Sequence, residues 1–499
     1  MGFSLSKLQQ KEAGVPLIGL FPLKAAGGPL PLLSPPLRQR GAIALRPPAS
    51  RLEKSAPLWQ ERVAYRMLIL FVALLYITPG TLYPQLEDFP IAKGVVVLSF
   101  IFLFAAKQTA RTTWRLSDKT TLWFAAFTAV EGLSIIDALW KEYAFSVFLN
   151  ALKLAVAYLL IINLVDDARK VRQILWTLVL SALVPALGTI YHYLLKIDLV
   201  EGYRAAWIGV YSDPNDLAYN LVVLVPILLA LLESEKRWIL KAALLAELAI
   251  FTLAIYVTFS RGGQVGLLVV LFFLILRSHH RLFHFSIGSI LFIILLALAP
   301  ATYWERAETI IKFKQDESAM GRVYAWRAGL SMLQDRPLLG VGIGCFVMGW
   351  PIYAPPEAGT KWRAPHNTFI QVMGENGLLG SITFLAFIGT AIRGLQKFSR
   401  RDLPSRLLLR QTVRPKSGRN PGGEAEPPPT VRLIAWNRSV LKREEADYYA
   451  RGLEVALWGF LACSLTLGIA RSWPPYLFIG LAIALRQIRL SQIRKDESA

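Results

Sequence analysis

The histidine at position 366 is the residue whose type and setting best suit chemistry. It lies in Pro365-His366-Asn367-Thr368-Phe369, where a long polar segment runs into an apolar one. The chain has only five histidines, and a neutral imidazole can act as a general base near pH 7. The alternative is structural, because a histidine at a helix start often only caps the helix or lies at the membrane interface.

A second residue with chemical potential is Arg261. Apolar sequence runs from about 238 to 277, and one helix of that length would be roughly 60 Å long, about twice the hydrocarbon thickness of a bilayer. The chain must therefore break, and Ser260-Arg261-Gly262-Gly263 is the only segment there with turn residues. The return span from Gln264 to Leu276 is short for a full crossing, so we expect the turn to lie below the membrane surface. An arginine at that depth needs a purpose or a partner. It either binds an anion, helped by glycines that let a ligand approach the backbone, or it extends to the interface from a helix end.

Arg322 lies in the segment GRVYAWRAGLSMLQDRPLLGVGIG, for which we predict a helix that begins near Gly321 and ends at Asp335-Arg336-Pro337. A solvated helix face is the alternative to ligand binding for this arginine. The GVGIG run follows no strand, so a dinucleotide site is excluded. Arg261, Arg322 and His366 are distant in sequence, but the alternation of loops predicts all three on one membrane face. A base with two arginines suits a substrate with a diphosphate leaving group.

Further residues are candidates for supporting roles at the same face. Asp213-Pro214-Asn215-Asp216 predicts a helix start, with Asp213 as the cap. Lys361 and Arg363 precede His366 and either hold an anionic ligand or are ordinary interfacial cations. The possible supporting set is Arg204, Tyr211, Asn215, Ser260, Asn367 and Arg363.

The elements that must position these residues are membrane helices. The chain has 499 residues, of which 54% are hydrophobic and 18% charged, which is too little charge for a soluble protein of this size. The apolar runs lack the period-2 alternation of barrel strands. We therefore predict an all-α, polytopic membrane helical bundle of about twelve transmembrane helices with a partly helical periplasmic loop.

The predicted spans begin near 64, 92, 120, 146, 173, 215, 238, 264, 283, 367, 452 and 475. The predicted organisation is a disordered basic cytoplasmic tail (1–62), helices 1–9 (63–300), a periplasmic loop (301–365), helix 10 (366–392), a basic cytoplasmic insertion (393–451) and helices 11–12 with a tail (452–499). The insertion carries 14 Lys and Arg against 6 Asp and Glu and is rich in Pro and Gly.

Charge predicts the orientation. The net charge is +21, and the basic residues collect in alternate loops, which the positive-inside rule assigns to the cytoplasm. Both termini then face the cytoplasm, and 197–214, the turn at 260–263 and the loop 301–365 lie on the outer side of the membrane. Nucleic acid is not expected as a partner. Neither cysteine, Cys345 or Cys463, indicates a disulfide framework or a metal site.

Four segments together carry a resemblance. They are GVYSDPNDLAYNLVVLVP, FSRGGQVGLLVVL, GRVYAWRAGLSMLQDRPLLGVGIGCF and PHNTFIQVMGENGLLG, between Gly209 and Gly380. In the last segment a histidine and a small polar residue are followed by nine positions and Gly-x-x-Gly. The chain resembles the O-antigen ligase and O-antigen polymerase superfamily, which comprises membrane glycosyltransferases of the bacterial envelope. The tail and the 393–451 insertion are not typical of this pattern.

The resemblance implies a glycan donor linked to a polyprenyl diphosphate, used at the periplasmic face of the inner membrane without a metal or other cofactor. It implies that His366 is catalytic and that Arg261 and Arg322 bind the diphosphate of the donor. The acceptor would be a hydroxyl of a lipid, a polysaccharide or a protein. Ligases of the family often have a leucine where this chain has Val265, which leaves ligase and polymerase open.

A transporter or flippase is the alternative from another class, because many spans and a membrane arginine suit it as well. Inverted repeats with paired broken helices would favour it, and the sequence shows none. In a transferase we expect His366, Arg261 and Arg322 to converge on one cavity.

Overall fold

The regular structure of the described residues is helical. A computed structural model of the chain describes residues 58–86, 91–277, 317–400 and 429–498, together with positions 282, 285, 286 and 289. Within these residues the only β-type pairing is an isolated bridge between Val200 and Arg204. The longer helices, numbered here in chain order, are α1 (Trp59–Ile77), α2 (Ile91–Ala110), α3 (Lys119–Leu133), α4 (Lys141–Leu164), α5 (Ala168–Leu195), α6 (Pro214–Val222), α7 (Val225–Ser234), α8 (Trp238–Val257), α9 (Arg261–Arg277), α10 (Glu317–Asp335), α11 (Thr368–Arg400), α12 (Pro429–Ser464) and α13 (Trp473–Ser498).

Seven segments of the described chain are long and apolar enough to cross a membrane. They are Trp59–Leu82, Ile91–Ala110, Lys141–Leu164, Ala168–Leu195, Pro214–Ser234, Trp238–Val257 and Thr368–Phe398. The prediction of a multi-pass, all-helical membrane protein is thus confirmed. Helices α3, α9, α12 and α13 also lie at predicted spans but are not among these seven segments. Helices α3 and α9 are too short, and α12 and α13 lack an apolar stretch of sufficient length. The span expected near 283 lies almost wholly outside the described residues, so the count of about twelve stays a prediction.

The segment Pro214–Ser234 is the centre of the helix bundle. Within its apolar window 83% of the residues are buried, against 22% for Ile91–Ala110. Helix α9 packs closely beside it, because a side-chain carbon added at Gly263 would lie 2.6 Å from Ala218 Cβ. Residues around this centre are therefore enclosed by protein, whereas the outer helices expose large apolar side chains, as lipid-facing helices do.

The bundle has two chemically different ends. One, which we call the basic end, holds the starts of α1, α5 and α8 and the end of α9; here Arg172 pairs with Glu235 and Arg277 with Glu454. The other, which we call the loop end, holds the segments 196–213, 258–260, 336–367 and 465–472. Contacts such as Ala205 N–H to Val257 O, at 3.0 Å, join the segments of the loop end. Each candidate site residue of the sequence analysis lies at the loop end.

The described part of the predicted loop 301–365 folds on a small core of its own. Helix α10 and the chain after it bury Met332, Phe346 and Trp350 against Ala138 of the α3–α4 connection and Ala144 of α4. Residues 301–316 lie outside the described residues. The expectation that Gly321 begins the helix was wrong, because α10 already includes Glu317.

The predicted insertion 393–451 is helical at both of its described ends. Helix α11 continues to Arg400, and α12 begins at Pro429. Residues 401–428, which carry the Pro- and Gly-rich composition, lie outside the described residues, as does most of the predicted tail 1–62.

Candidate functional site

His366 lies directly before the start of α11 in a backbone conformation that is uncommon for a residue with a side chain. Its φ angle is +42°. The next residue, Asn367, caps the helix, since its Oδ1 accepts hydrogen bonds from Phe369 N–H and Ile370 N–H at 2.9 and 3.1 Å. A left-handed conformation at a non-glycine residue costs on the order of 1 kcal/mol and often marks a functional position. The histidine is thus held outside the helix, at its positive end.

The surroundings of His366 favour its neutral form. Burial and the charge of Arg322 lower the pKa of His366 from its ordinary value of 6.5, Asp213 opposes them, and Arg363 lowers it further. Neutral imidazole has a free nitrogen lone pair, so the histidine can accept a proton at neutral pH. The same interactions bring three distant segments, around 213, 322 and 363–366, to one place.

The chain around His366 is fastened to the connection between α12 and α13. Asn367 Nδ2 donates to Leu465 O at 3.2 Å, and Thr368 Oγ1 donates to Leu467 O at 2.8 Å. In return, Ile469 N–H donates to Thr368 Oγ1 at 3.0 Å. Asn367 and Thr368 are buried, so these bonds are shielded from water and fix the helix start that carries His366.

Arg261 is the first residue of α9, and a buried polar cluster forms the turn before it. Asn215 Oδ1 accepts from Ser260 Oγ at 2.9 Å and from Arg204 Nη2 at 2.8 Å. Ser260 Oγ also caps α9, because it accepts from Gly263 N–H at 3.1 Å. The cluster holds the start of α9 against the start of α6, and Arg204 is occupied in it through a further bond to Thr258 O at 3.1 Å.

The glycines after Arg261 allow close packing of α9 against its neighbours. A side-chain carbon at Gly262 would lie 2.3 Å from Thr466 Oγ1, and one at Gly266 would lie 2.3 Å from Cys463 Sγ. The expectation that the glycines of this turn let an anion approach the backbone stays a prediction. They let α9 lie against the end of α12, so Arg261 adjoins the same α12–α13 connection that holds Asn367.

Arg322 lies in the first turns of α10, with Arg363 close by. The guanidinium of Arg363 covers Gly321, where an added side-chain carbon would lie 2.0 Å from Nη1. Both arginines are partly buried and act on the charge of His366. The sequence-predicted residues Arg322, Arg363 and His366 are thus together, and Lys361 is exposed nearby in the chain.

Tyr211 belongs to a different set of contacts. Its hydroxyl donates to Leu75 O at 2.8 Å, and its ring stacks on Tyr76 at 5.8 Å between centroids. It braces the end of α1 and takes no part in the cluster around Asn215. Of the supporting residues, Arg204, Asn215 and Ser260 form that cluster, Asn367 caps α11, and Arg363 lies beside Arg322.

The Gly-x-x-Gly motif of α11 breaks the helix and docks the loop that follows α10. Gly377 has φ +63° inside α11. The two helix carbonyls before the break accept from the loop, Gly374 O from Val341 N–H at 2.9 Å and Glu375 O from Gly342 N–H at 3.0 Å. The motif therefore connects the α10 segment to the helix that begins beside His366.

Sequence reasoning missed a buried charge cluster behind the site. Arg471 lies between Glu375 and Glu131, pairing with the first and lying 3.6 Å from Glu131 Oε1. Glu375 Oε2 also accepts from Gly344 N–H at 3.0 Å. The cluster ties α3, α11 and the α12–α13 connection together. Single carboxylates inside two apolar segments were the signal that could have revealed it.

Comparisons with known proteins bear on the same part of the chain. Residues 246–385 match the family model described as O-antigen ligase, a segment that contains Arg261, Arg322 and His366. A further match is the exopolysaccharide production protein ExoQ of Rhizobium meliloti (strain 1021), 33% identical over 94 residues, which are 17% of this chain and 21% of that protein. The chain thus spans about a fifth of the length of that relative. The resemblance to the O-antigen ligase superfamily is thereby confirmed, and the segment 246–385 carries it.

Proposed function

We propose that the chain is a glycosyltransferase that moves a glycan from a polyprenyl-diphosphate donor to an acceptor hydroxyl. The observation that carries this proposal is the place of His366 among Arg322 and Arg363, whose charges lower its pKa, within the segment that matches the O-antigen ligase family. A base next to fixed cations suits a reaction in which a hydroxyl loses a proton while an anionic group departs.

The chemistry is a single displacement. His366 takes the proton of the acceptor hydroxyl as its oxygen attacks the anomeric carbon of the donor sugar. The bond from that carbon to the diphosphate oxygen breaks, and the polyprenyl diphosphate leaves with the bonding electrons. Displacement from the opposite face inverts the configuration at the anomeric carbon.

The arginines are proposed to bind the diphosphate. Arginine stays charged and can present two parallel N–H donors to phosphate oxygens. Arg261 begins α9, so the helix start adds a positive field to its charge. Arg322 both lowers the pKa of His366 and, in this proposal, stabilises the charge on the departing group. No step requires a metal, so we expect added EDTA to leave transfer unchanged.

The proposed location is the bacterial inner membrane, with both termini in the cytoplasm and the site at the periplasmic face. The separation of a basic end from the loop end supports this orientation, because basic residues accumulate on the cytoplasmic side of membrane proteins. The loop end, which carries His366, would then face the periplasm.

A polymerase of the same superfamily is the second candidate. The name of the relative, an exopolysaccharide production protein, favours it. A polymerase performs the same displacement, but its acceptor is another lipid-linked glycan. The acceptor thus separates the two functions, while the roles of His366 and the arginines remain unchanged.

The test is transfer by purified chain reconstituted in sealed lipid vesicles that contain a polyprenyl-diphosphate glycan and are supplied with candidate acceptors. Longer lipid-linked glycans identify a polymerase, and glycans joined to a different acceptor identify a ligase. If the donor is moved across a bilayer and no new glycosidic bond forms, the chain is a transporter or flippase and the proposal is refuted.

A further inference from the structure

A cavity of about 630 Å³ opens between α1 and α5 at the basic end, far along both helices from the loop end. The residues that line it share two helix faces, one on each side. They are Glu61, Arg62, Tyr65, Arg66, Ile69, Lys170, Arg172, Gln173, Trp176 and Thr177. The five α1 residues follow the spacing of one helical stripe, so the cavity is a groove that runs along the two helices.

Contacts between α1 and α5, and ion pairs of α5, fix the shape of the groove. The Tyr65 hydroxyl donates to Lys170 O at 3.1 Å and lies 2.8 Å from Gln173 Oε1. Lys170 Nζ pairs with Asp166 at 2.7 Å, and Arg172 pairs with Glu235. The shape of the groove is therefore formed without a ligand, and these two cations are already neutralised.

The α1 side of the groove carries positive charge that no ion pair neutralises among the described residues. Arg62 and Arg66 are exposed, one helical turn apart, and among the described residues no carboxylate forms an ion pair with either. The only acidic residue of the lining is Glu61, and its charge also acts on Lys107 of α2. Two adjacent guanidinium groups at one rim make a site for a phosphate group.

Polarity changes with depth in the groove. Both α1 and α5 begin at the basic end, and Arg62 lies in the first turn of α1. Ile69 lies about 10 Å further along α1 at ~1.5 Å per residue, and Trp176 lies at a similar depth on α5. At the rim, Trp59 is 58% exposed, as tryptophans at a membrane interface are. Cations at the rim and apolar side chains below match a molecule with an anionic head and an apolar chain.

We propose that this groove binds an anionic phospholipid, with its phosphate held by Arg62 and Arg66 and an acyl chain against Ile69 and Trp176. Basic pockets between membrane helices bind lipid head groups in this way. A free phosphate ion would use the same two arginines but would gain nothing from the apolar part of the groove. The proposal does not depend on the transferase function.

The test compares lipid binding by matched variants of the purified full-length chain. Native mass spectrometry measures retained phosphatidylglycerol and phosphatidylcholine, with and without millimolar inorganic phosphate. The variant is Arg62→Gln/Arg66→Gln. The control is Arg111→Gln/Arg115→Gln, which removes the same charge from two exposed positions outside the groove. Circular dichroism checks that both variants are folded.

We expect the chain to retain phosphatidylglycerol in preference to phosphatidylcholine. The groove variant should lose that binding roughly tenfold, while the control keeps it. Equal losses in the two variants would show general surface attraction and overturn the proposal. So would equal retention of the two lipids, or complete displacement of phosphatidylglycerol by inorganic phosphate.

Discussion

At the scale of single residues, the reactivity of His366 follows from where its backbone places it. The helix cap at Asn367 forces the histidine out of α11, and the bonds to Leu465 and Leu467 keep it there. Burial and neighbouring arginines then disfavour the protonated imidazole. The residue type and the arginines Arg322 and Arg363 were evident from the sequence. The contacts with Leu465 and Leu467 were not, because they come from a segment about 100 residues further along the chain.

The fall in the transfer rate at acid pH should reflect the lowered pKa of His366. Because the pKa of His366 lies below 6.5, transfer should fall only as the pH drops below that value. Arg322 lowers this pKa, so Arg322→Gln should move the acid limb to higher pH as well as slow transfer. The pH dependence of kcat/KM measures both. Arg327→Gln, an exposed arginine on the same helix, is the control, and an equal shift in it would refute the assigned interaction.

Arg261 should not be replaceable by lysine. A lysine keeps the charge at the start of α9 but loses the fork of donors that suits a diphosphate. We expect Arg261→Lys to lower kcat/KM about 10- to 100-fold, with little change in melting temperature. Arg327→Lys provides the matched control. Wild-type kinetics in Arg261→Lys would mean that this arginine does not bind the donor through paired hydrogen bonds.

At the scale of elements, the site depends on the break in α11. The spacing from His366 to Gly377 was recognisable in the sequence, but its purpose was not. The break leaves two helix carbonyls free to accept hydrogen bonds from the loop after α10. The sequence of that loop gives no indication of this contact. The turn at 260–263 illustrates the same limit, since its Gly262 contacts Thr466 and Cys463, residues about 200 positions away.

Replacement of Gly377 by alanine should undo this docking. The new side-chain carbon would lie 2.4 Å from Leu338 O, at a φ of +63°. We expect a loss of about 1–3 kcal/mol in stability and a loss of transfer, because α10 and Arg322 shift. Thermal unfolding and transfer assays measure the two effects.

Gly389→Ala is the control for that substitution, because Gly389 lies in the same helix and nothing is within 4 Å of its added carbon. It should be neutral or slightly stabilising. Similar melting temperatures for the two variants would contradict the role assigned to the break.

At the scale of the whole molecule, hydropathy and charge predicted the helical membrane fold and the alternation of loops. They predicted the exact spans less well, because α3 and α9 are short, and α12 and α13 mix apolar and charged turns. The cluster of Arg471 with Glu131 and Glu375 escaped prediction because isolated carboxylates in apolar segments do not reveal which distant arginine they contact.

The proposed orientation can be tested by labelling single cysteines. Both natural cysteines are buried, so background labelling should be low. Trp362→Cys lies at the loop end and Arg111→Cys at the basic end, both at exposed positions. A membrane-impermeant maleimide should label Trp362→Cys in intact spheroplasts, and Arg111→Cys only after the membrane is permeabilised. The reverse pattern would place the site in the cytoplasm.

Transfer by purified His366→Ala tests the central claim most directly. The variant is supplied with a polyprenyl-diphosphate glycan and an acceptor that the wild-type chain uses, and donor binding is measured alongside. Removing the base should abolish transfer while leaving donor binding and folding intact, because the arginines remain in place. Transfer at the wild-type rate by this variant would contradict the account.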